Sequence, residues 1–238
     1  MATSRIVALL ALAVAPAASA YRPFDNTDAD VANPQEVELE LGPIGFVDAG
    51  GITQYAPRFV ANYGIAARTE IVFEGVHHLA VGRAAGPRFS VSGLQLSLKH
   101  VLRAGVLQEA FGPSVAAECG LLLPGFRDEE GLGGVCTGIV SIAAGAVLVH
   151  LNASASRERT GNFAVEPAVI AEGPRKWLVR PVAEALWSHE FGGANAATVL
   201  GGFIWQLREE LSVDAALRAG RSGGTALLEG RGGFTWTF

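Results

Sequence analysis

The chain has 238 residues, half of them apolar and only 17% charged, with 30 glycines and a formal net charge of −5. This excludes intrinsic disorder, which needs low hydrophobicity and high charge, and the pI of about 5.6 excludes a nucleic-acid binder on bulk electrostatics. The length suits one domain, and so apolar a composition has to be read first against a membrane.

Residues 1–20 read as a signal peptide. Arg5 supplies a short positive region, IVALLALAVA over 6–15 an apolar core, and Ala18-Ser19-Ala20 an A-x-A cleavage site, so Tyr21 is expected to begin the mature chain. The apolar run is too short to span about 30 Å of hydrocarbon. The protein is expected to be exported, with residues 21–35 as a short N-terminal periplasmic segment and 36–238 as the folded body.

From Val37 onward the chain alternates. Val37, Leu39 and Leu41 oppose Glu36, Glu38 and Glu40; Leu94, Leu96, Leu98 and His100 oppose Gln95, Ser97, Lys99 and Arg103; Leu211, Val213 and Leu217 oppose Ser212, Asp214 and Arg218. A period of two puts apolar and polar groups on opposite faces of a strand. Twelve such segments follow in order: 36–46, 54–65, 68–78, 91–103, 113–123, 132–143, 145–156, 162–171, 177–188, 196–207, 210–219 and 227–238. Most are near the nine to eleven residues that a tilted strand needs to cross a bilayer. The stretch 134–151, GVCTGIVSIAAGAVLVHL, is nearly uncharged and long enough for a spanning helix, but its four glycines and β-branched residues favour two strands around Ala143-Ala144-Gly145. Pro57 and Pro167 are awkward inside central strands and are expected at bulges or local irregularities.

With both termini placed in the periplasm, the inward turns are short: Ala66-Ala67, Ala144, 173–176 and the region of Glu209, with 104–112 as the exception. The outward loops 79–90, 124–131, 157–161, 189–195 and 220–226 are longer. This is the habit of bacterial outer-membrane barrels. In lipid every backbone polar group must be paired, and for strands only a closed sheet achieves that. The expected fold is therefore all-β: a closed antiparallel transmembrane β-barrel of about twelve strands in the outer membrane, with short periplasmic turns and longer extracellular loops. The ending FTWTF sets Phe234, Trp236 and Phe238 on the apolar face of the last strand. It resembles the signal by which outer-membrane barrels are delivered to their assembly machinery.

An ordered series of segments carries a family resemblance. RPFDNTDADVANPQEVELELG, LQLSLKHVL, PSVAAECGLLLPG followed by GLGG, VHLNAS, FAVEPAVIAEGP, VRPVAEALW, VLGGFIWQL, VDAALRAG and GGFTWTF together resemble the MetA-pathway of phenol degradation family of outer-membrane β-barrels. The resemblance spans nearly all of 22–238. It implies a transporter-like barrel, with hydrophobic or aromatic solutes suggested by the family label, and it brings no catalytic residue. The loop 124–131 and the two cysteines depart from it.

Cys119 and Cys136 flank PGFRDEEG. A hairpin centred between Arg127 and Asp128 sets them directly opposite, near the lower limit of Cα separation for a disulfide, and export favours oxidation. The other reading is two small apolar residues on the lipid face. His77-His78 makes a poor chelate, because adjacent strand residues face opposite sides. His150, Asn152 and Ser154 share one face, and the His150/Ser154 spacing resembles that of outer-membrane lipid hydrolases. Such chemistry needs an orienting carboxylate, and the trio falls on the lumenal side, so no enzyme is expected. No phosphate loop or metal-ligand cluster appears, and no cofactor is expected.

Parity assigns to the lumen Arg58, Glu70, Glu74, Lys99, Arg103, Glu118, His150, Asn152, Glu166, Arg180, Glu184, Asp214, Arg218 and Arg231, together with Glu36, Glu38, Glu40, Glu172 and Glu229. Acidic groups are in excess, which favours cations wherever water penetrates. Twelve strands lie between a filled barrel and an open one, so a narrow or partly plugged lumen is expected. The leading expectation is passive passage of small solutes. The alternatives are a non-conducting barrel that presents loops 79–90 and 124–131 to a partner, and a lipid hydrolase. The expected partners are outer-membrane lipid, the assembly machinery and a small solute, with no nucleic acid.

Overall fold

The computed structural model describes residues 22–81, 89–127 and 129–238. The signal-peptide reading of 1–20, Tyr21 and most of the loop 79–90 lie outside these residues. Thirteen antiparallel strands form one sheet: β1 (Val37–Ala49), β2 (Ile52–Tyr55), β3 (Arg58–Ala66), β4 (Thr69–Ala80), β5 (Phe89–Arg103), β6 (Ser114–Leu122), β7 (Gly133–Ala144), β8 (Val147–Arg157), β9 (Phe163–Glu172), β10 (Val179–Glu190), β11 (Asn195–Arg208), β12 (Leu211–Ser222) and β13 (Thr225–Thr237). β2 and β3 are one stave interrupted at Ala56-Pro57, so the barrel has twelve staves. β13 pairs with β1 and closes it. At the closure, Val37 and Phe238 exchange backbone hydrogen bonds in both directions at 2.9 Å.

The strands form for the reason the alternation gives. Outward positions carry Ile71, Phe73, Leu98, Leu121, Leu151, Val169, Val199, Phe203 and Leu217, all exposed. Inward positions carry Glu38, Glu40, Glu70, Lys99, Glu118, His150, Asn152, Arg180, Glu184, Asp214, Glu229 and Arg231, all buried. An exposed apolar wall around a buried polar interior reverses the pattern of a water-soluble domain and suits a lipid surround. Aromatic side chains ring both ends. Tyr63, Trp177, Trp205, Trp236 and Phe238 are exposed near the end that holds the chain's first strand start, and Phe46, Phe126, Phe163 and Phe191 near the opposite rim. Trp236 and Phe238 pack at 5.4 Å between ring centroids.

The stretch 134–151 folds as the β7–β8 hairpin about Gly145-Ala146. Among the described residues no helix is long and apolar enough to cross a membrane. Pro57 falls in the break between β2 and β3, where β1 also shifts register between Leu41 and Ile44. Pro167 keeps the β9–β10 register, but the ladder lacks two pairs there, between Leu186↔Ala168 and His189↔Val165, as the missing N–H requires. β6 and β7 pair Cys119 with Cys136, whose Cα atoms are 4.1 Å apart and whose sulfurs are joined on the outer face.

Two outward connections are shorter than the sequence suggests. The loops expected over 189–195 and 220–226 shrink to 191–194 and to Gly223-Gly224. The two glycines take φ of +57° and +81°, the backbone of a tight hairpin turn that lets pairing run to its edge. The long inward connection 104–113 contains a 3₁₀ turn, Val106–Gln108. It folds into the barrel mouth, where Leu107 joins Ala29, Ala116, Ile139 and Leu148 in a small apolar knot.

Because Phe238 is both the last rung of the closing ladder and part of an aromatic ring, removing it should lower the amount of barrel recovered from the outer membrane. Fractionation of cells making the two forms measures this; equal recovery would contradict it.

Candidate functional site: a lumen filled by the N-terminal segment

The stretch expected as a periplasmic lead-in is folded inside the barrel. Residues 22–36 run through the lumen, and their side chains and amides bond to strands all around the wall. The Arg22 amide donates to Glu40 at 2.9 Å, and its guanidinium to Asp214 at 3.1 and 3.2 Å. Gly42 and Gly233 make this fit, since a Cβ at either would collide with the Arg22 guanidinium. The amides of Asp25 and Asn26 donate to Glu184 at 2.9 and 3.0 Å. Asn152 donates to the Thr27 carbonyl at 2.8 Å. The Ala29 amide donates to Ser141 at 3.0 Å, and the Ala32 amide to Glu70 at 2.7 Å. On its return the segment presses Asn33 against β3 where Gly64 has no side chain.

Three ionic clusters hold it. At the barrel seam, the Asp25 carboxylate meets Arg58 at 3.0 Å, Arg218 at 2.5 Å and Arg231 at 2.6 Å. Glu229 lies behind, with Arg218 at 2.5 Å and Arg231 at 2.7 Å. Closure makes this cluster, because β12, β13 and β3 become near neighbours only when β13 pairs with β1. Deeper in, Lys99 is fully buried. It donates to Thr27 at 3.0 Å and stands 3.6 Å from Glu70 and 3.8 Å from Asp28. Near the turn 173–178, Arg175 reaches Asp28 at 3.0 Å and Asp30 at 3.7 Å. Gln108, from the inward 3₁₀ turn, donates to Asp30 at 3.0 Å and to the Ala29 carbonyl at 2.9 Å.

Other lumenal residues pair within the wall. Arg180 and Glu172 are 2.6 Å apart, and His150 stands 3.5 Å from Glu172 and 2.8 Å from the Ser141 hydroxyl. His150 therefore partners Ser141 rather than Ser154, whose hydroxyl bonds Thr137 at 2.8 Å. Ser141 is fully buried under Ala29, so no substrate reaches it in this conformation. Among the described residues no group of three or more His, Cys, Asp or Glu is arranged to hold a metal.

Arg103 departs from its lumenal assignment. The β5–β6 pairing shifts register between Val101 and Arg103, and the extra residue carries Arg103 out of the alternation. It is exposed and donates to the carbonyls of Phe111 and Pro113 in the connecting turn.

Above the segment lies a cavity of about 360 Å³. Its floor is Arg22 and residues 24–27; its wall includes Arg58, Glu74, Glu118, Glu166, Thr137, Asn152, Ser154 and Ser188; it reaches Glu158 and Arg159 in the turn between β8 and β9. Arg159 also donates to the carbonyls of Leu123 and Leu94 at 2.7 and 2.8 Å and pairs with Glu129 at 3.2 Å. These bonds pin the loop after β6 against β5.

A closed twelve-stave antiparallel barrel with an apolar outer belt and a charged interior has the architecture of outer-membrane porins and channels. No family model matches the sequence, and no curated protein matches it. Solved structures do match in fold. The NanC porin aligns with a TM-score of 0.63 at 8% identity, covering 84% of this chain and 98% of that one. An outer membrane channel from Pseudomonas putida F1 aligns at 0.62 with 11% identity, covering 90% and 100%. The KdgM porin aligns at 0.56 with 8% identity, covering 85% and 99%.

Proposed function

We propose that the protein is an outer-membrane pore for small solutes, closed in this conformation by its own residues 22–36. The observation that supports this is the arrangement of the lumen: a polar cavity reaching the outer rim ends on a floor made of the N-terminal segment rather than of wall side chains. A floor made by a segment that precedes β1 and is not itself a stave of the sheet can be displaced without breaking the barrel. The series of segments resembling the MetA-pathway family agrees with a transporter, and the cavity's carboxylates, hydroxyls and amides favour a polar solute over the hydrophobic one that the family label suggests. The test is single-channel recording of the refolded, full-length protein in planar bilayers. Discrete openings are expected. A folded barrel that never conducts, with or without the segment, would overturn the pore reading and favour a structural barrel.

The acidic lining predicts the sign of selectivity. Glu184 and Asp214, the natural first choices from parity, bond the segment and so act on closure. Glu74, Glu118 and Glu166 line the cavity itself. Converting these three to Gln should reduce cation preference in a salt-gradient reversal potential; anion preference in the unaltered protein would contradict the lining.

Closure should also depend on pH. Asp30 lies in the segment beside the turn 173–178. Burial, and then the Asp28 carboxylate, push its carboxyl from an ordinary 3.8 up to about 6, against the pull of Arg175 and Gln108. The docked segment thus binds a proton that the released one gives up. This contribution to docking is full below about 3.8 and is lost as pH rises to about 6. Open probability at pH 7.5 should exceed that at pH 5, and Asp30→Asn should flatten the difference. A higher open probability in acid would have the wrong sign.

A further inference from the structure

We infer that the Arg58–Arg218–Arg231 cluster is a binding site for the carboxylate of a small zwitterion, such as an amino acid or short peptide, and that Asp25 occupies it as a tethered stand-in. This deepens the pore reading and rests on it.

The carboxylate half follows from the geometry of Asp25. One of its oxygens accepts from Arg58 at 3.0 Å and from Arg231 at 2.6 Å; the other accepts from Arg218 at 2.5 Å. Three guanidinium groups converging on both oxygens of one carboxylate form a preformed receptor, because planar N–H forks match carboxylate geometry. Glu229 neutralises only one of the three. Arg58 is the member that faces outward: it lines the cavity, its side chain is 29% exposed, and its Nε stands 3.7 Å from Glu229 without a hydrogen bond. Asp25 also lines the cavity, whereas Arg218 and Arg231 do not. The segment's carboxylate therefore sits between the cavity and the two deeper cations. A solute that descends the cavity reaches Arg58 first and gains the other two by displacing Asp25.

The cationic half follows from the rest of the same cavity. Glu74, Glu118 and Glu166 line it, and among the described residues none of the three forms an ion pair; Glu118 accepts hydrogen bonds from Ser97 and Gln95, and Glu166 from Ser188 and Asn26. Asn152 adds an acceptor. Its nitrogen is committed to the Thr27 carbonyl, and its oxygen has no partner in a side chain that is 4% exposed. A simple anion would meet these acidic walls before reaching Arg58. A molecule with an ammonium at the other end satisfies both. The cavity volume falls at the small end of ligand pockets, which suits a single amino acid or a short peptide.

The test uses the full-length protein in detergent and three matched probes: 6-aminohexanoate, hexanoate and hexylammonium. Binding is read by calorimetry in the unaltered protein, in Asp25→Ala and in the isosteric Asp25→Asn, each checked for folding by heat-modifiable migration. If Asp25 is a stand-in, both variants should bind 6-aminohexanoate about tenfold or more tighter than the unaltered protein, and Arg58→Gln in the same background should abolish the gain. Hexanoate and hexylammonium should each bind about tenfold more weakly than 6-aminohexanoate. Equal binding of hexanoate would overturn the zwitterion assignment, and no gain in either folded variant would overturn the site. Conductance of the same preparations separates the two readings. Binding without any conductance overturns the pore and leaves the site, while conductance without binding does the reverse.

Discussion

Removing residues 22–34 should turn a closed barrel into a conducting one. The segment supplies the floor of the cavity and bonds β1, β3, β4, β5, β7, β8, β10, β12 and β13. Most of the wall's own ladder is independent of it, because each stave is hydrogen-bonded to two neighbours around a closed ring. The shortened chain should still migrate as a heat-modifiable barrel. Its conductance should rise, as expected when an interior packed with groups becomes water-lined. The cost appears in stability. Without Asp25, the three arginines lose the carboxylate they share, and without Thr27 and Asp28, Lys99 loses two of its contacts. The unfolding temperature should therefore fall even as conductance rises. Retained closure in a folded, shortened barrel would show that the wall and the 104–113 turn seal the lumen by themselves.

The barrel was legible because its physics is local. A period of two is written into every strand, and the lipid belt and lumen are its two faces. The Cys119/Cys136 spacing gives the β6–β7 register, since a hairpin centred in its loop pairs residues of fixed index sum. The proline positions mark the break at Pro57 and the missing pairs at Pro167. What failed to show was anything that depends on three dimensions at once. Arg103 follows the alternation in sequence and leaves it in space, because a one-residue shift in β5 is invisible to parity. The N-terminal segment looked like a lead-in because RPFDNTDADVAN has no period and little apolar content. Its signal was there in another form. Asp25, Asp28 and Asp30 precede a wall whose seam gathers Arg58, Arg218 and Arg231, but that gathering exists only after β13 closes on β1. An acid-rich stretch ahead of the first strand, weighed against lumenal bases at the seam, is the feature that would have placed it inside.

Lys99 should prove the costliest single lumenal residue to neutralise. It is fully buried, and its ammonium is shared by the wall's Glu70, the segment's Asp28 and the Thr27 hydroxyl. The competing terms decide the sign of each variant. The intact cluster contributes little net stability, because desolvating the ions offsets most of their attraction. Removing one partner is different: Lys99→Met takes the ammonium away from the buried Glu70 carboxylate, which the Ala32 amide continues to bond at 2.7 Å. Breaking a buried pair in this way costs about 3–5 kcal/mol. Asp28 still has Arg175, so the loss concentrates on Glu70. Lys99→Met should therefore lower the temperature at which the folded band is lost on a heated gel, while Lys99→Met with Glu70→Gln should recover most of the loss, since the second change removes the stranded charge and keeps a side-chain acceptor for Ala32. The same pair reports on closure. Lys99 joins the segment to the wall through Thr27 and Asp28, so the double variant should regain stability yet open more often than the unaltered protein. Recovery of stability together with unaltered closure would mean that the seam cluster at Asp25 alone holds the segment down.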